Sequence, residues 1–241
     1  IVLIEDGEWM YEYMDGSSPE ELILNEMARD GMTVIGGAGN FTTGNMLVID
    51  TLSSGKEVTY KAEAPRMTEG KINDGVFFSF LWPNTNTNIA FTVETPDKNK
   101  VELSSGSGLV KAGSYNIYYA KETSPRGTVM FRFGCSKSDS GAVSGTWKFT
   151  LNPDGTAFIR GYVVDVSQSW AGNSHWKDTP KISDESNICF PSTADSIMAI
   201  GAYVVNFGWM DRVGDIASYS SKGFTITGKL GVDITSPGHS T

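Results

Sequence analysis

The stretch Ile89-Ala90-Phe91-Thr92-Val93 alternates large apolar side chains with smaller ones, the pattern of a strand with one face in a core. Turn-forming clusters such as Asn73-Asp74-Gly75 and Pro153-Asp154-Gly155 punctuate the sequence around it. Short strands separated by such turns are typical of antiparallel sandwiches, so we predict an inserted all-β jelly-roll domain over residues 41–186. Similar alternating segments recur at residues 58–62, 76–81, 115–120, 129–133, 147–151 and 157–164.

The sequence before this region has the pattern of a strand, a helix and a second strand. Ser18-Pro19-Glu20-Glu21 is a helix start, with a capping serine, a proline at the first helical position and a glutamate three residues after the cap. Gly31 suits the end of that helix, and residues 32–35 form an apolar run. Two strands joined by a helix predict a parallel sheet. Because the chain opens directly on the strand-like residues 1–4, we also expect it to belong to a longer protein.

The sequence after this region returns to that pattern. Ile197-Met198-Ala199-Ile200-Gly201-Ala202 is a short apolar run, typical of a strand buried on both faces. We therefore predict the α/β class, a partial parallel sheet with helices, for residues 1–40 and 187–241 together. The all-β sandwich at 41–186 is then an insertion, which a host domain tolerates when the ends of the inserted domain lie close together.

Composition excludes several classes of protein. The 241 residues are 39% hydrophobic and 20% charged, enough for a packed core and unlike a disordered chain. The net charge of −9 argues against nucleic-acid partners and against an anionic membrane surface. No apolar run reaches the roughly 18 residues of a membrane-spanning segment. The two cysteines, Cys135 and Cys189, either pair or remain free thiols, and they form no disulfide framework.

Four segments, in this order, resemble the subtilisin-like serine proteases (subtilases, peptidase family S8). They are Val34-Ile35-Gly36-Gly37-Ala38-Gly39-Asn40, Phe190-Pro191-Ser192-Thr193-Ala194, Ile216-Ala217-Ser218-Tyr219-Ser220-Ser221-Lys222-Gly223 and Val232-Asp233-Ile234-Thr235-Ser236-Pro237-Gly238. A jelly-roll insertion between the first and the second resembles some subtilases of anaerobic and gut bacteria. The resemblance implies a secreted or cell-surface serine endopeptidase acting on polypeptides. It also implies that the catalytic Asp and His would precede Ile1 and the catalytic Ser would follow Thr241, so this stretch alone would be inactive.

The same resemblance assigns the candidate site. Asn40 would be the oxyanion-hole residue, whose side-chain amide stabilises the negative charge that develops during acyl transfer. Gly37, Ala38 and Gly39 would form one wall of the substrate pocket. Glu5, Asp6 and Gly7 would form the opposite wall, where two carboxylates in place of the family's usual residues would favour basic substrates. The plainer alternatives are that Asn40 only ends a strand and that the carboxylates are solvated loop charges.

The other polar and aromatic candidates have simpler interpretations. His175 and His239 are the only histidines, and both are interpreted as loop residues. No zinc-ligand spacing or EF-hand pattern occurs, so we predict no metal or cofactor, although the family often binds calcium. Trp147 is predicted in the sandwich core, and Trp170 and Trp176 at the domain junction. Two alternative functions stay open: a pseudoprotease or binding module whose sandwich holds a protein or glycan, and a free-standing sandwich with coincidental flanks.

Overall fold

The computed structural model describes residues 1–9, 12–83, 86–167, 173–205 and 212–239. It divides into two compact units, one made of Ile1–Thr43 with Ser183–Thr241 and the other of Gly44–Ile182. The elements, in chain order, are β1 (Val2–Ile4), α1 (Pro19–Arg29), β2 (Val34–Gly37), a 3-10 turn (Thr42–Gly44), β3 (Leu47–Leu52), β4 (Val58–Ala64), β5 (Met67–Thr68), β6 (Lys71–Ile72), β7 (Gly75–Pro83), β8 (Ile89–Glu94), β9 (Lys100–Leu103), β10 (Ser107–Ala112), β11 (Tyr115–Thr123), β12 (Thr128–Lys137), β13 (Gly145–Pro153), β14 (Ala157–Asp165), β15 (His175–Lys177), β16 (Met198–Val204) and β17 (Ile234–His239).

The Gly44–Ile182 unit is a β-sandwich of two antiparallel sheets. The six-stranded sheet has the order β10-β11-β12-β7-β14-β3, and the five-stranded sheet has the order β15-β4-β13-β8-β9. Alternation decides which side chains face the core: in β7, Phe78 and Phe80 point inward and are 1% and 0% exposed. The ring centroid of Phe80 lies 5.0 Å from that of Phe91 in β8 and 5.4 Å from that of Phe149 in β13. The two sheets therefore share one aromatic core.

The other unit is built on a four-stranded parallel sheet of order β1-β2-β16-β17. Its strands come from both ends of the sequence, which excludes the alternative of unrelated flanks around a free-standing sandwich. The helix α1 packs through Leu24 on Val34, Ala194 and Ile197. At the start of α1, the Ser18 N–H donates a hydrogen bond of 3.0 Å to Glu21 Oε2, as the capping pattern predicts.

The predicted fold class is wrong for the chain as a whole. About 48% of the residues are in strands and 6% in helix, with one α-helix among the described residues, so the fold is mostly β rather than α/β. The long connection from β16 to β17 has no helix in its described part because Gly214, Gly223 and Gly228 adopt positive φ angles of 93°, 90° and 85°, which form turns. The assignment to the subtilases is wrong for the same reason, since it implied a parallel sheet covered by helices.

Candidate functional site

The predicted site residues lie at one edge of the parallel sheet. Strands β1 and β2 pair in parallel with Ile4 opposite Gly36, so the segments that follow them leave the sheet at the same carboxyl edge. The structure thereby brings Glu5, Asp6 and Gly7 to the edge that also carries Gly37, Ala38, Gly39 and Asn40. Glu5 and Asp6 are exposed, and Asp6 Oδ1 accepts a hydrogen bond of 2.9 Å from the Gly7 N–H.

Cys189 lies between the two predicted walls of the pocket. A Cβ atom added to Gly7 would lie 3.0 Å from Cys189 Sγ, and one added to Gly39 would lie 2.7 Å from it. The Cys189 N–H donates to the carbonyl of Ala38 at 3.1 Å. The thiol is fully buried and free, and burial raises its pKa to about 12, so it stays protonated at neutral pH. Cys189 thus fills the space between Gly7 and Gly39 with an uncharged side chain. The lack of a side chain at both glycines lets their segments pack closely on its sulfur atom.

The end of β2 and the residue after it are held by hydrogen bonds, but one side of Gly37 faces open space. The Ala38 N–H donates to the carbonyl of Ile200 in β16 at 2.9 Å, and the Ser192 hydroxyl lies 3.0 Å from the carbonyl oxygens of both Gly36 and Gly37. A Cβ atom added to Gly37 would meet no atom within 4 Å. Gly37 therefore borders open space, the property that a pocket wall requires.

Asn40 presents an exposed side chain. It follows Gly39, whose φ is +109°, and precedes Phe41, whose ring packs on Trp9 with the centroids 4.4 Å apart. The Asn40 amide makes no hydrogen bond with any residue in the described part of the chain. Its two N–H groups are therefore available to an external acceptor.

A second segment, 219–222, runs beside 39–42 and was not among the predicted site residues. The Thr42 hydroxyl donates to the carbonyl of Ser220 at 2.7 Å and accepts a hydrogen bond of 2.8 Å from the side-chain amide of Asn187. The Lys222 N–H in turn donates to Asn187 Oδ1 at 2.9 Å. The sequence offered one signal, since Ser220 and Ser221 lie in one of the four segments that resemble the subtilases, but local pattern cannot show which distant segment such serines bond.

His175, Trp147 and Trp176 belong to the sandwich unit and not to this edge. His175 lies in β15 of the sandwich unit, with Nδ1 2.9 Å from the carbonyl oxygen of Asn173. Trp147 is buried in the sandwich core as predicted, whereas Trp176, predicted at the domain junction, is also fully buried in that core. The His239 side chain and Trp170 lie outside the described residues.

Neither a cluster of metal-ligating side chains nor a membrane-spanning helix occurs among the described residues. Within these ranges, no group of three or more His, Cys, Asp or Glu side chains could hold a metal ion. No helix found there is long and apolar enough to cross a membrane. Both cysteines are buried free thiols, which decides the pairing that the sequence left open.

Comparison with known proteins gives a likeness of fold. No protein-family model matches the sequence, and no curated protein matches it. Among solved structures, the chain is similar to that of the Clostridium perfringens CspB protease, with a TM-score of 0.74 and 13% sequence identity. The match covers 99% of this chain and 49% of that one, so this chain spans about half the length of the protease it resembles.

Proposed function

We propose that this chain is part of a serine endopeptidase in which Asn40 supplies a hydrogen-bond donor of the oxyanion hole. The observation that carries the proposal is the exposed amide of Asn40 at the carboxyl edge of the parallel sheet, which is unpaired within the described part of the chain. Likeness of fold to a protease over nearly the whole chain supports the reaction class, although at 13% identity it concerns the fold alone.

In this proposal the nucleophile and the general base come from outside residues 1–241. Peptide hydrolysis through an acyl-enzyme needs a serine nucleophile and a histidine general base beside the scissile carbonyl. His175 belongs to the sandwich and bonds the backbone near Asn173, so it does not fill the second role here. In the proposal, Asn40 Nδ2–H donates to the carbonyl oxygen as it becomes negatively charged, and this chain alone does not hydrolyse peptides.

The substrate in this proposal is a polypeptide that lies along the carboxyl edge of the parallel sheet, beside residues 5–7 and 37–39. Gly37 leaves space for a side chain or for the substrate backbone. The exposed carboxylates of Glu5 and Asp6 favour a basic side chain there. The β-sandwich is accessory in the proposal: it stabilises the protease or restricts which proteins reach the site.

The test uses the full-length parent protein with Asn40→Ala. Hydrolysis of a general protein substrate and labelling by a serine-directed fluorophosphonate are measured for the wild type and for the variant. We expect kcat to fall by about 10²–10³-fold, the range for loss of one oxyanion donor, while labelling of the serine shows that the nucleophile is in place. Asn152→Ala is the matched control, since Asn152 is an exposed asparagine in the sandwich strand β13.

Two results would contradict the proposal. A parent that neither hydrolyses protein nor reacts with the probe is not a protease, and the sandwich then becomes the candidate site for a protein or glycan partner. An active parent whose kcat is unchanged by Asn40→Ala would leave Asn40 as a residue that merely ends a strand segment.

A further inference from the structure

We propose that Ser221 is the positioning residue that holds Asn40 in place for the reaction. The inference rests on the proposed function of Asn40 and names a residue that acts through it. Ser221 comes from a segment 180 positions away from Phe41, so the contact is made only by the fold.

Ser221 bonds the backbone on both sides of Asn40. Its N–H donates to the carbonyl of Gly39 at 2.9 Å, and its Oγ accepts a hydrogen bond from the Phe41 N–H at 3.4 Å. One buried residue therefore fixes the peptide groups immediately before and after Asn40. A residue held at both flanks loses most of its backbone freedom, which limits where its side chain can reach.

Asn40 needs such external support because its own side chain has none in the described part of the chain. The amide that would bind the oxyanion must stay unpaired in the free protein, so it can be oriented only through its backbone. Gly39 has a φ of +109°, and because glycine lacks a Cβ atom, its own backbone preference does little to fix the direction of the chain at Asn40. The two bonds to Ser221 act on the peptide groups that adjoin Asn40, whereas the contacts of Phe41 with Trp9 and of Thr42 with Ser220 hold the segment further along.

The packing around Ser221 is selective for a small side chain. Ser221 is 0% exposed, and a Cβ atom added to Gly39 would lie 2.8 Å from its Oγ and 3.4 Å from its Cβ. A small hydroxyl residue fits this space and supplies an acceptor. The neighbouring Ser220 is also buried, but its Oγ accepts from the Ala202 N–H at 3.0 Å, which is a bond to strand β16 and not to the Asn40 segment.

The first experiment compares Ser221→Ala with Ser220→Ala in the full-length parent, each alone and combined with Asn40→Ala. Alanine at 221 keeps the N–H to Gly39 and removes the acceptor for Phe41. Because a misplacement of about 1 Å can cost about 10²-fold, we expect a smaller shift to lower kcat about ten-fold with KM unchanged. On the Asn40→Ala background, Ser221→Ala should lower kcat no further, and Ser220→Ala should leave kcat near the wild-type value.

Equal losses from Ser221→Ala with and without Asn40 would overturn the inference, because Ser221 would then act independently of Asn40. An unchanged kcat in Ser221→Ala would overturn it as well. A fall in kcat from Ser220→Ala as large as that from Ser221→Ala would also overturn the inference, since a general weakening of residues 219–222 would then explain both results.

A second measurement does not depend on hydrolysis, so it separates failure of this inference from failure of the proposed function. Amide hydrogen exchange is followed by NMR in the 241-residue protein. We expect Ser221→Ala to speed exchange at the Phe41 N–H by about ten-fold or more, because the Ser221 Oγ acceptor is gone, and to shift the Asn40 backbone resonances. Ser220→Ala should change neither. An unaltered exchange rate at the Phe41 N–H in Ser221→Ala would overturn the inference that Ser221 positions Asn40, even if the parent were an active protease.

Discussion

Gly39 is the residue of the candidate site with the strictest steric requirement. It combines a φ of +109° with atoms of Cys189 and Ser221 within 3 Å of where a Cβ atom would be. We expect Gly39→Ala to lower the free energy of unfolding by about 2–4 kcal/mol, because strain and overpacking add. Gly37→Ala is the matched control, since a Cβ atom there meets nothing within 4 Å, and we expect a change within about 0.5 kcal/mol.

Urea denaturation followed by circular dichroism measures both glycine variants under the same conditions. Equal free energies of unfolding for Gly39→Ala and Gly37→Ala would mean that the Gly39 segment relaxes freely away from Cys189. In that case the close approach of the two predicted pocket walls is not a constraint of the folded protein.

Glu12 is a buried carboxyl group whose protonation state affects stability. It is 6% exposed, and its Oε2 has no hydrogen-bond partner among the described residues. Burial, reinforced by the negative charges of Glu21, Glu20 and Glu8 and partly offset by a hydrogen bond with Ser18, raises the pKa of Glu12 from 4.5 to about 7.

The raised pKa fixes the sign of the pH effect. Between about pH 4.5 and pH 7 the folded protein binds a proton at Glu12 that the unfolded chain has lost, so stability falls as the pH rises through this window. We expect the wild type to lose about 2–3 kcal/mol more than Glu12→Gln between pH 4.5 and pH 8. Urea titrations at both pH values measure the difference. The exposed Glu57→Gln is the control, and parallel pH profiles for wild type and Glu12→Gln would contradict the assignment.

At the scale of elements, the short strand β15 contributes far more to the core than its three residues suggest. Trp176 is fully buried, its ring centroid lies 5.7 Å from that of Phe78 and 5.8 Å from that of Phe80, and its Nε1–H donates to the carbonyl of Gly161 at 2.9 Å. The tryptophan therefore joins an edge strand of the five-stranded sheet to the inner face of the six-stranded one.

We expect Trp176→Ala to destabilise the sandwich by about 3–5 kcal/mol, the usual cost of a large aromatic side chain lost from a core. Tyr118→Ala is the control, because Tyr118 is a 54% exposed aromatic residue of β11. Chemical denaturation followed by far-ultraviolet circular dichroism compares the two. Similar small losses in both variants would show that β15 is not an integral strand of the sheet.

At the scale of the whole molecule, the start and the end of the sandwich unit are joined to each other. The Ile49 N–H donates to the carbonyl of Lys181 at 2.9 Å, and Val48 forms a β-bridge with Ile182. A unit whose ends meet and whose core is its own should fold without the rest of the chain. We therefore expect a protein consisting of residues 44–182 alone to unfold cooperatively in urea and to give dispersed amide resonances.

The same isolated piece carrying Trp176→Ala serves as the control, and it should unfold at a lower urea concentration. A piece that aggregates or lacks a cooperative transition in both forms would contradict the independence of residues 44–182. The sandwich would then depend on residues 1–43 and 183–241 for its folding.

Features that depend on near neighbours could be predicted from the sequence. Alternation in segments such as residues 89–93 indicated the strands of the sandwich, and Ser18 with Glu21 indicated the start of α1, because side-chain period and capping act over a few residues. The sequence misled on fold class. Apolar runs at both ends suggested helix-covered strands, whereas glycines with positive φ form turns in the described part of the long connection before β17.

The surroundings of Asn40 could not be predicted from the sequence and are known from the folded structure. The sequence pointed to Asn40 and to residues 37–39, but the contacts of Ser221 with the flanking peptide groups and the place of Cys189 between Gly7 and Gly39 join positions up to 182 residues apart. The same holds for Trp176, whose burial depends on pairing with β4. Such long-range contacts are set by the packing of whole sheets, where many local patterns are satisfied together, and no short stretch of sequence encodes them.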